Sequence, residues 1–285
     1  MKNSIEMCQP LCMPFVCFGF DSRYSAFPEK PYMHYFAELL LVREGRLRVL
    51  RNQEEQIVSP GEAVLFCPAV VHQVSVAGDE PARVDVIRMD PDRMPDLPAY
   101  SADLKTLLWE ASKANLPMLV PAEDVKKMFL PQLCDGCVQE CSRRTYGYDV
   151  NVTSLMGLIN TAVIRFWKEK GLETSCRKGQ TDPIYSLSGY IQAHLQDSLR
   201  VEDLAARCGL SYPWFAKKFR EIYGISCKDY IEQIRVARVE EFLLFTDLDL
   251  MQISEMTGYA DCSHMIKNFK RIMNITPGQY RLKNR

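Results

Sequence analysis

The sequence predicts an α+β chain in two parts: a small N-terminal β-barrel completed by helices, and a C-terminal all-helical domain. Three observations lead there. A helical segment near the C-terminus occurs twice, with an offset of 49 residues at its glycine (Gly209, Gly258) and 50 from its aromatic position onward (Phe215, Met265). Closely spaced apolar runs punctuated by Gly and Pro occupy the first 95 residues, the pattern of a small sandwich or barrel. Between them, residues 101–170 turn to helical spacing. The polar stretch 171–182, with Gly171 and Gly179 just ahead of Pro183, reads as a linker. The expected domains are therefore 1–170 and 183–285.

Taken in order, the strand runs are 37–42, 46–50, 56–58, 63–66, 72–76 and 83–87, with turns at Glu44-Gly45, 51–55, Pro60-Gly61 and Pro68. The helical region ends in Leu155, Leu158, Ile159, Ala162, Val163 and Phe166, a stripe suited to pairing with a second copy of the chain. Earlier in it, Leu130, Cys134, Cys137 and Cys141 fall at i, i+4, i+7 and i+11, one face of a helix. The simplest reading of that face is a buried row of small apolar side chains. The alternative is a redox or zinc site, which Cys8, Cys12 or Cys17 would extend.

The repeated segment is a short apolar helix, a Gly turn and a second helix opening on small polar residues, the helix-turn-helix pattern. In the first copy, Leu204 and Ala205 face inward, Gly209 supplies the left-handed turn residue, and Phe215, Phe219 and Ile222 make a buried stripe. That leaves Pro213, Trp214, Ala216, Lys217 and Arg220 outside. In the second copy, Asp249 and Gln252 form a capping box, and Met265, Phe269 and Ile272 make the stripe. Cys262, Ser263, Ile266 and Lys267 fall on its outer side. Residues 229–244 between the copies are apolar at helical spacing with neither Gly nor Pro. Such a rod, about 25 Å long at about 1.5 Å per residue, would hold two recognition helices about one DNA turn apart.

Residues 183–285 resemble the AraC/XylS family of transcription regulators, whose DNA-binding part is two helix-turn-helix units joined by one long helix. The likeness runs through Leu204-Ala205, Gly209-Leu-Ser211, Phe215-Ala-Lys-Lys-Phe219, Tyr230-Ile231, Arg235, Gly258-Tyr259, Phe269-Lys270 and the closing Ile275-Thr-Pro277-Gly-Gln-Tyr280-Arg281. Ser254, Met265 and Asn274 depart from it, standing where the family usually has Ala, Phe and Gly. The resemblance implies base-reading positions at Pro213, Ala216 and Lys217 and at Cys262, Ser263, Ile266 and Lys267. Arg220 and Lys270 join them on the DNA face. The order His34, Glu38, Glu44-Gly45, Pro60-Gly61, Pro68 and His72 looks like the cupin-type sensor barrel common in this family. It implies a small-molecule effector, a sugar or another metabolite. The expected pocket residues are His34, Glu38 and His72, with Tyr24, Tyr32 and Arg88 as walls. A metal cupin needs a His-x-His pair, and here Tyr32 replaces one member, so neither metal, cofactor nor enzymatic activity is expected.

Charge agrees with this reading. The net charge is −1, so the chain is no bulk polyelectrolyte binder, yet residues 262–285 carry six basic side chains and no acidic one. No apolar run approaches a membrane span of about 20 residues, and the N-terminus lacks a basic segment followed by an apolar one. Eleven cysteines in such a chain read as reduced thiols. The expectation is a cytoplasmic, homodimeric regulator of double-stranded DNA that answers to an effector and has RNA polymerase as a further partner. The alternatives are a thiol- or metal-responsive regulator working through the cysteine cluster, and a cupin enzyme fused to a DNA-binding tail.

Overall fold

Strand Ala37–Glu44 is buried at six of its eight positions because both of its faces are covered, and the N-terminal fold is built around it. The computed structural model describes residues 3–4, 13–28, 31–32, 34–51, 54–68, 70–95, 97, 101–114, 116–172 and 183–284, and the chain divides into two units, Met1–Thr181 and Asp182–Arg285. The first unit contains β1 (Asn3–Ser4), β2 (Phe15–Asp21), β3 (Ser25–Ala26), β4 (Ala37–Glu44), β5 (Leu47–Arg51), β6 (Glu54–Val58), β7 (Ala63–Phe66), β8 (His72–Val76), β9 (Arg83–Met89) and β10 (Leu119–Val120). β1 and β3 pair in parallel. The rest make an antiparallel five-stranded sheet, order β10-β7-β4-β9-β2, and a three-stranded sheet, order β6-β5-β8.

Several strands differ from the sequence reading, β2 and β4 among them. β2 was not among the expected runs, yet it pairs with β9 along its whole length, from Phe15↔Met89 to Asp21↔Arg83. Its sequence lacks apolar/polar alternation because the helix Leu130–Arg143 packs on it, so neither face is simply wet. β4 runs two residues further than expected, across a bulge between Val42 and Glu44. The turn that follows needs glycine: Gly45 has φ +67°, and a Cβ there would run into the Pro81 carbonyl.

The helices of this unit are α1 (Leu104–Lys113), α2 (Ala122–Lys127), α3 (Leu130–Arg143) and α4 (Tyr148–Glu169). The expected dimer stripe on α4 splits in two. Ile159, Val163 and Phe166 are buried within their own unit, in line with Val152, Met156 and Trp167. Leu158, 58% exposed, is left outside, and with Ala162 it faces a groove of about 640 Å³ shared with Met128, Phe129 and Leu133. On α3, Leu130, Cys134 and Cys137 are buried and Cys141 is half-buried.

The second unit is all helical: α5 (Leu187–Ala193), α6 (Val201–Arg207), α7 (Tyr212–Tyr223), α8 (Cys227–Phe245), α9 (Leu250–Met256), α10 (Cys262–Met273) and α11 (Pro277–Asn284). Pairs α6/α7 and α9/α10 are the two helix-turn-helix units, and α8 is the 19-residue rod between them. In the first unit of the pair, Phe215, Phe219, Tyr223 and Tyr230 form an aromatic core, with Phe219 stacked on Tyr223 at 4.2 Å. In the second, Val236, Val239 and Leu243 of α8 close over Ile253, Tyr259, Met265 and Phe269. The turn glycines sit in the left-handed region, Gly209 at φ +67° and Gly258 at φ +73°, and a Cβ on Gly258 would strike the Leu195 carbonyl. Asn274 takes the same conformation at φ 61°, a placement asparagine tolerates better than most residues. The Asp249/Gln252 capping box is present on α9.

Candidate functional site

The barrel assembles a buried polar cluster from three pieces of chain. β4 presents Glu38 directly across from Arg88 of β9 on one side and Phe66 of β7 on the other. Arg88 Nε donates to Glu38 Oε1 at 2.6 Å. His34, just ahead of β4, and His72, opening β8, bring Nε2 to 3.6 Å from the other carboxylate oxygen, beyond ordinary hydrogen-bond length. One ligand atom from each of His34, Glu38 and His72 lies within 4.8 Å of the others, and all three residues are buried. His34 Nε2, Glu38 Oε2 and His72 Nε2 have no hydrogen-bond partner.

The far side of each imidazole is fully occupied. His34 Nδ1 donates to the Phe36 carbonyl at 2.8 Å and His72 Nδ1 to the Val70 carbonyl at 2.9 Å. Their rings stack on Phe36 at 3.9 Å and on Phe66 at 3.8 Å. A neutral imidazole that donates from Nδ1 presents Nε2 as an acceptor. Burial pushes the His34 pKa down, against the pull of Glu38, so neutrality is favoured there. Burial alone would raise Glu38, but the Arg88 guanidinium beside it outweighs that and holds this carboxyl well below the usual range. Three acceptors thus point at one place with no donor between them. What fits there is a cation or a donor-bearing ligand.

Two imidazole nitrogens and one carboxylate oxygen are a donor set suited to a divalent transition metal. The backbone carbonyls on both Nδ1 atoms are the outer support such ligands commonly have. The sequence reading placed no metal here because one His of the usual pair is Tyr32. Tyr32 instead forms the wall: its backbone N–H and carbonyl bond those of His72 at 2.8 and 3.0 Å, and its ring lies 4.5 Å from the imidazole. Tyr24 does not join the site. It is 71% exposed in the turn after β2, with Arg23 over its ring, because that turn points away from the barrel core. Sequence reasoning missed Phe36 and Phe66. Phe36 is two residues from His34 on the same strand approach, a signal open to inspection, whereas Phe66 is visible only through its register with Glu38.

On the second unit, α7 leaves Pro213, Trp214, Lys217 and Arg220 exposed and Ala216 half-buried, above the buried Phe215 and Phe219. Lys217 Nζ lies 5.6 Å from the Trp214 ring. On α10, Ser263, Lys267 and Lys270 are exposed. Cys262 and Ile266 are not simply on the outside: both are half-buried and pack against the core around Ile253 and Phe269, because α10 meets α8 and α9 along a wider arc than the i, i+4, i+7 stripe. The sequence reading also missed Asn268. It is buried and donates to Glu232 of α8 at 2.6 Å, and it lies 3.0 Å from His264 Nε2. This buried polar tie fixes the rotation of α10 on the rod, and no periodicity signals it.

Two helix-turn-helix units on a continuous helix are the architecture of a DNA-binding domain, here in one chain with a small barrel that encloses a polar cluster. Comparison with known proteins agrees. A helix-turn-helix domain family matches residues 204–283, and a cupin domain family matches residues 26–88. The regulatory protein PocR of Salmonella typhimurium is 34% identical over 92 residues, 32% of this chain and 30% of that protein, so the chain spans less than a third of PocR's length in this match. The transcriptional activator NphR of Rhodococcus sp. is 29% identical over 250 residues, covering 85% of this chain and 68% of that one. Among solved structures, the C-terminal domain of the response regulator yesN from Fusobacterium nucleatum is 30% identical, covering 33% of this chain and 93% of that chain with a TM-score of 0.33. The chain thus carries an AraC-type helix-turn-helix domain and a cupin domain.

Proposed function

We propose that this chain is a sequence-specific transcription regulator that works as a homodimer on double-stranded DNA and answers to a small molecule held in its barrel. The observation that carries the reading is the pair of helix-turn-helix units whose second helices each expose basic and small side chains outward. In this reading the site residues are Pro213, Ala216, Lys217, Arg220, Cys262, Ser263, Ile266, Lys267 and Lys270 for DNA. Those for the effector are Tyr32, His34, Glu38, His72 and Arg88. The chain carries out no catalysis, acts in the cytoplasm and has RNA polymerase as a further partner. The effector is a metabolite rich in hydroxyl donors, a sugar among them, because the site offers acceptors flanked by aromatic faces.

The test is binding to a DNA site selected from random sequence by the full chain. Lys217→Ala and Lys267→Ala should each weaken it, by about 1–3 kcal/mol if the lysine reads a base edge. If the lysine meets only phosphate, the salt slope should fall by about one while selectivity survives. Unchanged affinity in both variants would remove the DNA-reading role of α7 and α10.

One observation favours a second reading of the barrel. His34 Nε2, His72 Nε2 and Glu38 Oε2 converge without partners, and a single metal ion satisfies all three where one hydroxyl hydrogen satisfies one. Under this reading His34, Glu38 and His72 hold a divalent transition metal, which would supply a Lewis-acidic anchor for the effector. Metal analysis of chain purified without chelator decides between them. Stoichiometric metal in the native chain that is absent from the His34→Ala/His72→Ala double variant supports the metal reading, and metal-free native chain excludes it.

A further inference from the structure

The row of thiols on α3 does not face only apolar core. Cys17 of β2, the strand on which α3 packs, is buried against it, close enough to Cys137 and Cys141 to interact with both. Cys137 and Cys141 are one helical turn apart, so Cys17 sits between two sulfurs that occupy successive turns. The three differ in access: Cys17 and Cys137 are buried, and Cys141 is half-buried. The thiols also differ in acidity. Burial pushes Cys17 and Cys134 well up, whereas the bonds from Cys17 pull Cys141 below the ordinary thiol value, with Arg144 adding to the effect.

We propose that Cys17 and Cys141 are an oxidisable thiol pair, closed by peroxide-class oxidants into a disulfide that pins α3 to the edge strand β2. The reachable Cys141, as its thiolate, attacks one peroxide oxygen. An S–O bond forms, the O–O bond breaks, and the departing hydroxide takes up a proton to become water. Cys17 then attacks the sulfenic sulfur: the S–S bond forms, the S–O bond breaks, and the second hydroxide leaves as water with the proton from Cys17. Two thiols lose two electrons and one peroxide becomes two waters.

The location gives the bond a consequence. The N-terminal half of α3 is already held to the sheet by Arg43, which reaches Asp85 at 2.7 Å, the Pro131 carbonyl at 3.0 Å and Asp135 at 2.6 Å. The C-terminal half of α3 carries Cys137 and Cys141, the neighbours of Cys17 on β2. In β2, Cys17 is in register with Ile87, and Val16 with Arg88, the residue that holds Glu38. A disulfide at this point fastens the helix to the strand beside the barrel's polar cluster. Thiol state and effector site thus share one strand pair.

The experiment uses the full chain, reduced and freed of reductant, challenged with hydrogen peroxide, capped with N-ethylmaleimide and digested without reductant. The expected result is a peptide pair linked through Cys17 and Cys141, a loss of two titratable thiols, and full return with dithiothreitol. Cys141→Ser should abolish the link, and as a half-buried position it carries the test even where Cys17→Ser lowers stability. Cys208→Ser, in the other unit, should leave the link intact. Amide exchange across residues 130–143 should slow on oxidation in the native chain and not in Cys141→Ser. Capped Cys17 and Cys141 after peroxide, or Cys17 linked to Cys137 or to any other thiol, would overturn the assignment. Unchanged exchange despite the link would overturn the pinning of α3. Each readout is made on the protein alone, so failure here is distinct from failure of DNA binding.

Discussion

At the scale of single residues, burial decides which charges matter. Lys105 and Asp92 form a nearly buried pair at 2.8 Å, and burial pushes the Asp92 carboxyl up from 3.8 to about 6 despite the lysine. A group whose folded pKa is raised gives stability that is complete below its unfolded pKa and lost as pH rises through the folded one. For Asp92 that window runs from about 4 to about 6. Asp92→Asn removes this titration, so relative to the native chain it should gain about 1–3 kcal/mol between pH 4 and pH 7. Urea unfolding of both chains at the two pH values checks this, and a constant difference would show that Asp92 ionises normally. The cluster residues illustrate how far single positions could be read. His34, Glu38 and His72 were legible as neighbours through the likeness of their order to a cupin barrel, and Tyr24 was not, because nothing in a tyrosine's neighbours along the chain says which way a turn points.

At the scale of elements, α4 shows what a periodic stripe leaves undecided. Its apolar residues were legible, but six positions at helical spacing can face the chain's own core or a partner. The structure turns Ile159, Val163 and Phe166 inward and leaves Leu158 and the neighbouring Phe129 exposed, at 58% and 66%. If the chain dimerises through the groove they share, Leu158→Glu should dissociate it, because an unpaired charge in an apolar interface is costly. Ile159→Glu should instead unfold the unit. Sedimentation velocity separates these outcomes, and an unmutated chain that sediments as a monomer would remove the interface. Helices α6, α7, α9 and α10 were legible from glycines, caps and stripes because those signals are local. β2 was not, because a strand covered on both sides carries no alternation.

At the scale of the molecule, the two units have separate hydrophobic cores, so an effector bound in the barrel should stabilise the fold by mass action. The gain is about 2.7 kcal/mol when the free ligand is at 100 times its Kd. Screening metabolites against the full chain by thermal unfolding should therefore raise a transition for the right compound. Glu38→Ala should abolish the rise while circular dichroism shows the helical unit intact. A rise that persists in Glu38→Ala would place the effector elsewhere. The net charge of −1 belongs to this scale too: with no overall attraction to phosphate, binding must come from the exposed lysines and arginines of particular helices. No helix among the described residues is long and apolar enough to cross a membrane.

The sequence by itself determined the tandem helix-turn-helix units, the rod between them and the strand-rich character of the N-terminal part. Each follows from contacts within a few residues: a left-handed glycine, a capping box, an apolar residue every third or fourth position. Only the tertiary structure decided which distant residues meet. Glu38 faces Arg88 across 50 positions, Asn268 reaches Glu232 across 36, and Cys17 finds the thiols of α3 more than a hundred residues away. Those encounters depend on strand register and helix rotation, which are set by the packing of the whole core. A buried acceptor therefore acquires its meaning only when its neighbours in space are known.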